Sequence, residues 1–472
     1  MWMLTGGGSM NILLTMPSPQ RYQDWYDRLL ERICILWPPL TLRQLEAITP
    51  DKHTVDVVHS HEKIKENEEY DVVGISYFTA TAPQAYALAD TYREKGSTVI
   101  LGGYHASALP SEAKQHSDAV VIGEAEHLWP RVLHDIEHDT LQPFYHMRRP
   151  APPRVIPGAT QTSIPGMIKI GGAEATRGCP YGCEFCALSH SPFGQCYRKK
   201  PVEQVIAEIT SIPHRYFVFY DGSLTVDPAY TKALFRRLRN LNKKFAAFGH
   251  ASMVDDEELL RLARDAGCIA WDIGFESIYQ HTIDRLNKRS NVVQRYADVV
   301  EKLHDYGMNV IGSFAFGFDE HTPAVFDKTL EAVHHWDIDS LGITILTPLP
   351  GTRLYDRLQK ENRILTRDWS KYDLYHVVFQ PKHMTPQELY DGVSDFVNAF
   401  YAPDNLLQRM MRNIAHTGVL SSLGINYHLL SSRVIYKSAF GQRYIHNHHH
   451  QQYPILSPAT SLKSSASLAR QK

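Results

Sequence analysis

Short apolar runs alternate with amphipathic stretches along most of the chain. Residues 10–17 (MNILLTMP) are apolar and stop at a proline, the pattern of a buried strand entering a loop. Further buried strands are expected at residues 53–58, 71–76, 98–103 and 118–124. Helices are expected at 38–49 and 82–95, where apolar residues recur at helical spacing. Strands that are apolar throughout and separated by helices predict a parallel, doubly wound, Rossmann-like sheet, with ligands gathered at the carboxyl ends of its strands. Three successive strand ends carry small or acidic residues: Ser76, Gly102-Gly103 and Gly123-Glu124.

Residues 141–165 are rich in proline and arginine and read as a linker between two domains. The strand–helix alternation then resumes. Strands are expected at 168–173, 216–221, 245–250, 269–275, 309–316 and 340–346, with helices between them at 228–241, 255–266, 292–306 and 323–336. Six such units suit a partial (β/α)6 barrel, whose chemistry sits at the carboxyl ends of its strands. A further helix is expected at 386–411. The division is therefore a leader at 1–9, an α/β sheet domain at 10–140, the linker, a barrel at 166–380, a helical region at 381–440 and a disordered tail at 441–472.

Composition alters this picture little. Apolar residues at 43% and charged residues at 21% are ordinary globular values. A formal charge of -2 gives no basic excess for tracking phosphates, so no nucleic-acid partner is expected. No apolar run is long enough to span a bilayer, and no secretory leader opens the chain. Cys34, Cys196 and Cys268 are scattered and form no disulfide framework, which predicts a reduced, cytoplasmic setting.

The other three cysteines decide the chemistry. Cys179, Cys183 and Cys186 form C-x3-C-x2-C within eight residues. A structural zinc site wants four closing ligands, and no second cysteine pair exists, although His190 is close enough in sequence to complete one. Three thiolates on a short loop suit an iron–sulfur cluster, with one iron left open for a small molecule.

This spacing, with Phe185 before the last cysteine, resembles the signature of radical S-adenosylmethionine (SAM) enzymes. The fuller string RGCPYGCEFC (177–186) resembles the branch of that superfamily that carries an N-terminal cobalamin-binding-type domain. The resemblance implies a 4Fe-4S cluster on Cys179, Cys183 and Cys186, with Phe185 near the adenine of SAM. It places Asp221 and Gly222 near the methionine amino group and Glu276 and Ser277 near the ribose and methionine part, and the adjacent cations Lys288 and Arg289 could meet the carboxylate. Backbone contacts to adenine would come from strand ends 313–319 and 347–352. Ser76, Gly102, Gly103, Gly123 and Glu124 would line the slot for the cobalamin nucleotide tail.

One departure concerns the Asp-x-His-x-x-Gly motif that many such domains use to ligate cobalt. Residues 56–63 read DVVHSHEK, with no glycine at the required offset, so His59 and His61 are read as loop histidines. The implied reaction is cleavage of SAM to a 5′-deoxyadenosyl radical, hydrogen removal from an unactivated carbon, and methyl delivery from cobalamin. The substrate would be a small molecule, a lipid or a tetrapyrrole, and electrons would come from a donor such as flavodoxin or ferredoxin. Cyclisation, coupling or oxidation of the substrate without methyl transfer is the alternative. Methylthiolation of tRNA is disfavoured, because that family's first domain carries its own three-cysteine cluster. The aromatics at 363–376 are candidates for covering the substrate opening.

Overall fold

The computed structural model describes residues 8–17, 40–58, 64, 68–158 and 170–440. Cys34, His59, His61, most of the expected leader and the whole expected tail lie outside the described residues. Ser9 is part of the fold, since its hydroxyl donates to the Lys52 carbonyl at 2.6 Å.

The first sheet contains β1 (Asn11–Thr15), β2 (Thr54–Val58), β3 (Val72–Ser76), β4 (Thr98–Gly102), β5 (Ala119–Ile122) and β6 (Phe144–His146). Its order is β2-β1-β3-β4-β5-β6, and every pairing is parallel. Strands β3 and β5 bury nearly every side chain, because helices cover both faces of the sheet. Separate apolar cores lie on the two sides, one around Val73, Leu101 and Val120, the other around Ile12, Ile100 and Trp129. Strand β6 corrects the expected linker. Residues 144–146 pair with β5 and seal the sheet edge although proline and arginine surround them. Residues 159–165 of that linker lie outside the described residues.

The second sheet begins with β7 (Ile170–Ala173). A short antiparallel pair, β8 (Thr176–Arg177) and β9 (Arg198–Lys199), then brackets the cysteine stretch. The barrel continues through β10 (Tyr216–Phe219), β11 (Lys244–Gly249), β12 (Cys268–Glu276), β13 (Asn309–Phe316) and β14 (Ser340–Ile345). The six parallel strands run in chain order, β7-β10-β11-β12-β13-β14, as an open half-barrel. Along β12 the side chains alternate. Trp271, Ile273 and Phe275 enter the core under the helices, while Asp272, Gly274 and Glu276 take the opposite, lumen face. Local chemistry sets the helix starts: Asp227 caps Pro228–Leu238 by accepting from the Tyr230 N–H, and Asp256 caps Glu257–Ala266 by accepting from the Leu259 N–H.

The helical end differs from the single helix expected at 386–411. Thr385 and Glu388 form a capping box that starts Pro386–Phe400. The chain then breaks before Pro403, which has no N–H to continue the ladder and opens a second helix, Pro403–Thr417. A third helix, Val419–Phe440, lies against the barrel. The Ile343 N–H donates to the Tyr436 hydroxyl at 2.6 Å, and Ile425 packs with Ala270 and Ile311. The last helix thus fills the amino end of the lumen and leaves the carboxyl end to the cysteines.

Candidate active site

The cysteine loop leaves β8 at Gly178, whose φ is +82°. A Cβ there would stand 2.4 Å from the Cys196 carbonyl oxygen, so only glycine lets the two limbs of the loop approach. The Cys179 N–H donates to Gly194 O at 2.8 Å and the Cys186 N–H to Cys183 O at 3.1 Å, which ties down the loop and keeps its three thiols close enough to feel one another's charge. All three thiols are free and half-buried. Burial pushes the Cys183 thiol up to about 12 and raises that of Cys179, with Lys288 opposing both shifts. A bound cation is what would ionise such thiols. Three soft thiol donors on one loop fit a cluster that keeps one iron open.

The loop is clamped from the barrel. Arg353 donates to the Gly182 carbonyl and to His190 Nε2, and the Leu354 N–H donates to Glu184 O at 3.0 Å. His190 is thus engaged with Arg353 and with the Cys186 carbonyl. Arg357 bridges Glu184 of the loop, at 2.9 Å, to Asp319 just past β13, at 2.7 Å. Asp319 also meets Arg285, Arg363 and Lys382. Burial works against its charge, but the surrounding cations, Arg363 foremost, hold its carboxyl far below the usual range.

The expected SAM-side residues divide. Asp221 is fully buried and accepts from the Thr176 N–H and hydroxyl, both at 2.5 Å, and from the Ala175 N–H. Burial pushes it up to about 7. It anchors the entry to the cysteine loop and presents no free carboxylate, which corrects its expected role on the methionine amino group. Gly222 permits a close approach of backbone to loop: a Cβ would meet Leu188 at 2.6 Å and Cys179 Cβ at 3.5 Å. Phe185 packs edge-on to Phe318, with ring centroids 6.2 Å apart.

Glu276 sits at a bulge where the β12–β13 register shifts, with φ at +65°. Backbone strain of this kind gathers where a side chain must be aimed. Lys288 Nζ donates to Glu276 Oε1 at 2.5 Å and to Gly274 O at 2.6 Å. Burial would lower the Lys288 ammonium, but Glu276 and the thiols outweigh it and raise it. Arg289 is exposed, so the cation brought to this strand end is its neighbour Lys288. Ser277 is buried and meets His321 Nε2 at 3.0 Å.

One further residue was not singled out from the sequence. His250, just past β11, meets Ser223 Oγ at 2.7 Å and packs its ring 4.4 Å from that of Tyr181. Burial, then Lys288, pushes it down to about 3, so it is a neutral imidazole. Its position after an apolar strand was the only signal available.

At the other face of the site, Ser76 and Gly102 are register partners at the ends of β3 and β4. Gly103, with φ at +100°, lies against the Tyr77 backbone, and beside Gly102 nothing would come within 3.8 Å of a Cβ. The ends of β3 and β4 thus carry only small residues at these positions. Gly123 and Glu124 are engaged elsewhere. Gly123 is sealed against Met147, and Glu124 is held by Arg198 and, at 3.4 Å, by Arg177. Glu124 forms a clasp between the domains and Gly123 is closed off within the first one, which corrects their expected place in the nucleotide slot.

The two domains enclose a cleft of about 260 Å³. Phe78 and Tyr104 line it from the first sheet, stacked at 5.8 Å and 17°, and His190 and Pro192 line it from the cysteine loop. Residues 349–351 and 372–374 complete it. The aromatic stretch after the barrel therefore reaches the opening through Tyr372, while Trp369 donates to Glu112 of the first domain at 2.9 Å.

Comparison with known proteins agrees with this arrangement. Residues 174–333 match the Radical SAM superfamily, residues 36–133 the B12 binding domain, and residues 352–453 a domain of unknown function, DUF4070. The bacteriochlorophyllide d C-8(2)-methyltransferase of Chlorobaculum tepidum is 28% identical over 83% of this chain and 91% of its own length. The C-12(1)-methyltransferase of the same organism is 29% identical over 72% and 77%. The structure of TsrM, a radical SAM methyltransferase from Kitasatospora setae, solved with cobalamin and a [4Fe-4S] cluster bound, superposes with a TM-score of 0.63 at 14% identity. It covers 92% of this chain and 100% of that one. Sequence motif, domain order and fold agree, and the chain belongs to the radical SAM superfamily, with a B12 binding domain ahead of the radical SAM core.

Proposed function

We propose that this enzyme methylates an unactivated carbon of an apolar small molecule, a lipid or a tetrapyrrole. The observation that carries the reading is the shared cleft: Phe78 and Tyr104, just past the ends of β3 and β4, and Ala187 and His190, just past Cys186, line the same space. When bound, the cluster, SAM and cobalamin supply the radical and methyl-transfer chemistry. The chain supplies position, charge and exclusion of water.

Cys179, Cys183 and Cys186 hold the cluster, and Phe185 covers the adenine. Glu276, Ser277 and Lys288 orient the polar end of SAM. Asp221 and Gly222 fix the loop from beneath, and Ser76, Gly102 and Gly103 take the cobalamin tail. Phe78 and Tyr104 offer a flat apolar wall to the substrate. Neutral His250 adds no charge beside the cluster. Electrons come from an external one-electron donor such as flavodoxin or ferredoxin, which fits a reducing, cytoplasmic setting.

The test uses protein reconstituted with its cluster without oxygen, then given hydroxocobalamin, SAM, a strong reductant and a bacteriochlorophyllide. Retained cobalamin, with 5′-deoxyadenosine, S-adenosylhomocysteine and a product heavier by one methyl group, is the expected result. Deoxyadenosine and altered substrate without S-adenosylhomocysteine would replace methyl transfer by cyclisation, coupling or oxidation.

A further inference from the structure

One cluster of metal-binding side chains lies outside the active site. His304 is in the last turn of the helix Tyr296–Asp305, Asp339 stands directly before β14, and His416 is in the last turn of the helix Pro403–Thr417. Each offers one ligand atom, and these atoms all lie within 4.8 Å of one another. Ligands bonded to a tetrahedral zinc ion at about 2.0–2.1 Å are roughly 3.3 Å apart. Small side-chain movements would therefore seat an ion among the three.

A plain hydrogen bond explains only part of the cluster. His304 Nε2 meets Asp339 Oδ2 at 2.8 Å. That leaves His416, whose ring stands 4.3 Å from the ring of His304, with no hydrogen-bond partner among the described residues. The carboxylate, in turn, is already aimed. Asp339 is buried, the Val310 N–H donates to its Oδ2 at 2.7 Å, and the Asn413 amide, turned to donate, reaches its Oδ1 at 2.6 Å. Partners of this kind hold a ligating carboxylate in place around a metal.

The helix Pro403–Thr417 meets this corner with one face. Arg409, Arg412, Asn413 and His416 recur at three- and four-residue spacing. Arg409 donates to the Ile338 carbonyl, Arg412 pairs with Asp337, and Asn413 and His416 approach Asp339. The charge of Arg412 is thus already balanced beside the cluster. Two imidazoles and one carboxylate suit zinc and its transition-metal neighbours better than calcium or magnesium, which prefer oxygen alone. His416 is exposed, so water can complete the coordination. Asp339 and Val310 lie at the amino ends of β14 and β13, whereas barrel chemistry belongs to the carboxyl ends. An ion here fastens elements together and takes no part in the radical reaction.

We propose that His304, Asp339 and His416 bind a divalent ion of the zinc class, which clasps the helix Pro403–Thr417 to the amino end of the barrel. The site is independent of the reaction assigned above, and its test reads no turnover.

Two other places would compete for zinc and are silenced first. Full-length protein is reconstituted with its cluster, which occupies Cys179, Cys183 and Cys186. It also carries asparagine in place of His446, His448, His449 and His450, because a histidine-rich tract binds metal by itself. Zinc chloride is added and loose metal is dialysed away. One zinc per chain is expected to remain, with nitrogen and oxygen ligands at about 2.0–2.1 Å and no sulfur at about 2.3 Å in X-ray absorption at the zinc edge. His416→Ala, at an exposed position, should keep iron content and far-UV circular dichroism. It should weaken zinc binding by more than the roughly 10- to 100-fold that loss of an outer partner costs. Asn413→Ala, which removes such a partner from Asp339, should weaken it about 10-fold. Zinc should also slow hydrogen exchange across residues 403–417 in the parent and leave it unchanged in His416→Ala. Zinc lost on dialysis or a sulfur ligand shell would overturn the proposal. Equal zinc retention in His416→Ala would do so too, as an adventitious ion only, and bound zinc with unaltered exchange would remove the clasp.

Discussion

Arg177 Nη2 lies 2.5 Å from Glu126 Oε1, an ion pair that joins the cysteine loop to the first domain. Arg177 also donates to Glu174 at 2.9 Å and to Gln44 at 3.1 Å, so one guanidinium spans both sheets. Burial would lower its ionisation, but Glu174 and Glu126 more than compensate. The residue two before the first cluster cysteine therefore helps set how the B12-type domain meets the barrel.

Removing Arg177 should leave Glu126 buried without its counter-charge, and removing Glu126 should leave Arg177 with Glu174 and Glu124 alone. Arg177→Met and Glu126→Gln are each expected to cost about 3–5 kcal/mol in urea unfolding. The double variant should lose clearly less than the sum of the two, because the groups share one network. Additive losses would mean that the contact across the domains contributes little.

Gly178→Ala should damage the cysteine loop with little effect on the rest of the barrel. Its φ of +82° disfavours a side chain, and the added Cβ would meet backbone, which cannot swing away as a side chain end would. The local cost is expected to be roughly 2 kcal/mol or more. Iron bound per chain after reconstitution should fall, while far-UV circular dichroism stays unchanged.

Acid should loosen the site through Asp319. Its folded carboxyl titrates below the unfolded one, so its stabilisation is fully present above the unfolded value of about 4 and is lost as pH falls below that. Asp319→Asn should cost about 2–4 kcal/mol at neutral pH. The gap between wild type and variant should close as unfolding is measured at successively lower pH. A constant gap would show that the carboxylate's charge is not what holds Arg357 and Arg363.

What the sequence revealed followed how local each signal is. The cysteine spacing is complete within eight residues, and strands buried on both faces announce themselves by continuous apolar runs, so cluster loop and both sheets were legible. Asp221 was misread because its partner, Thr176, is 45 residues away and no motif links them. Glu124 was misread for the same reason, since Arg198 lies 74 residues further on. Strand β6 was hidden because only three residues form it, and their neighbours' composition outweighed their pairing. The helix break at Pro403 was readable from its missing N–H, but the apolar spacing continued across it.

Lys288 and Arg289 are adjacent cations that sequence alone cannot rank, and the turn between them decides which enters the site. Lys288 is enclosed with Glu276 and Gly274, while Arg289 points to solvent. If Lys288 holds Glu276 aimed at the polar end of SAM, Lys288→Met should weaken SAM binding roughly 10- to 100-fold, the worth of one charge-assisted hydrogen bond. Arg289→Met should change it by no more than about twofold, as expected of a solvated charge. The readout is the change in the reduced cluster's paramagnetic resonance spectrum as SAM is added, which needs no substrate. Equal effects from the two variants would return the carboxylate-binding role to Arg289 and leave Lys288 as a support for the bulge at Glu276.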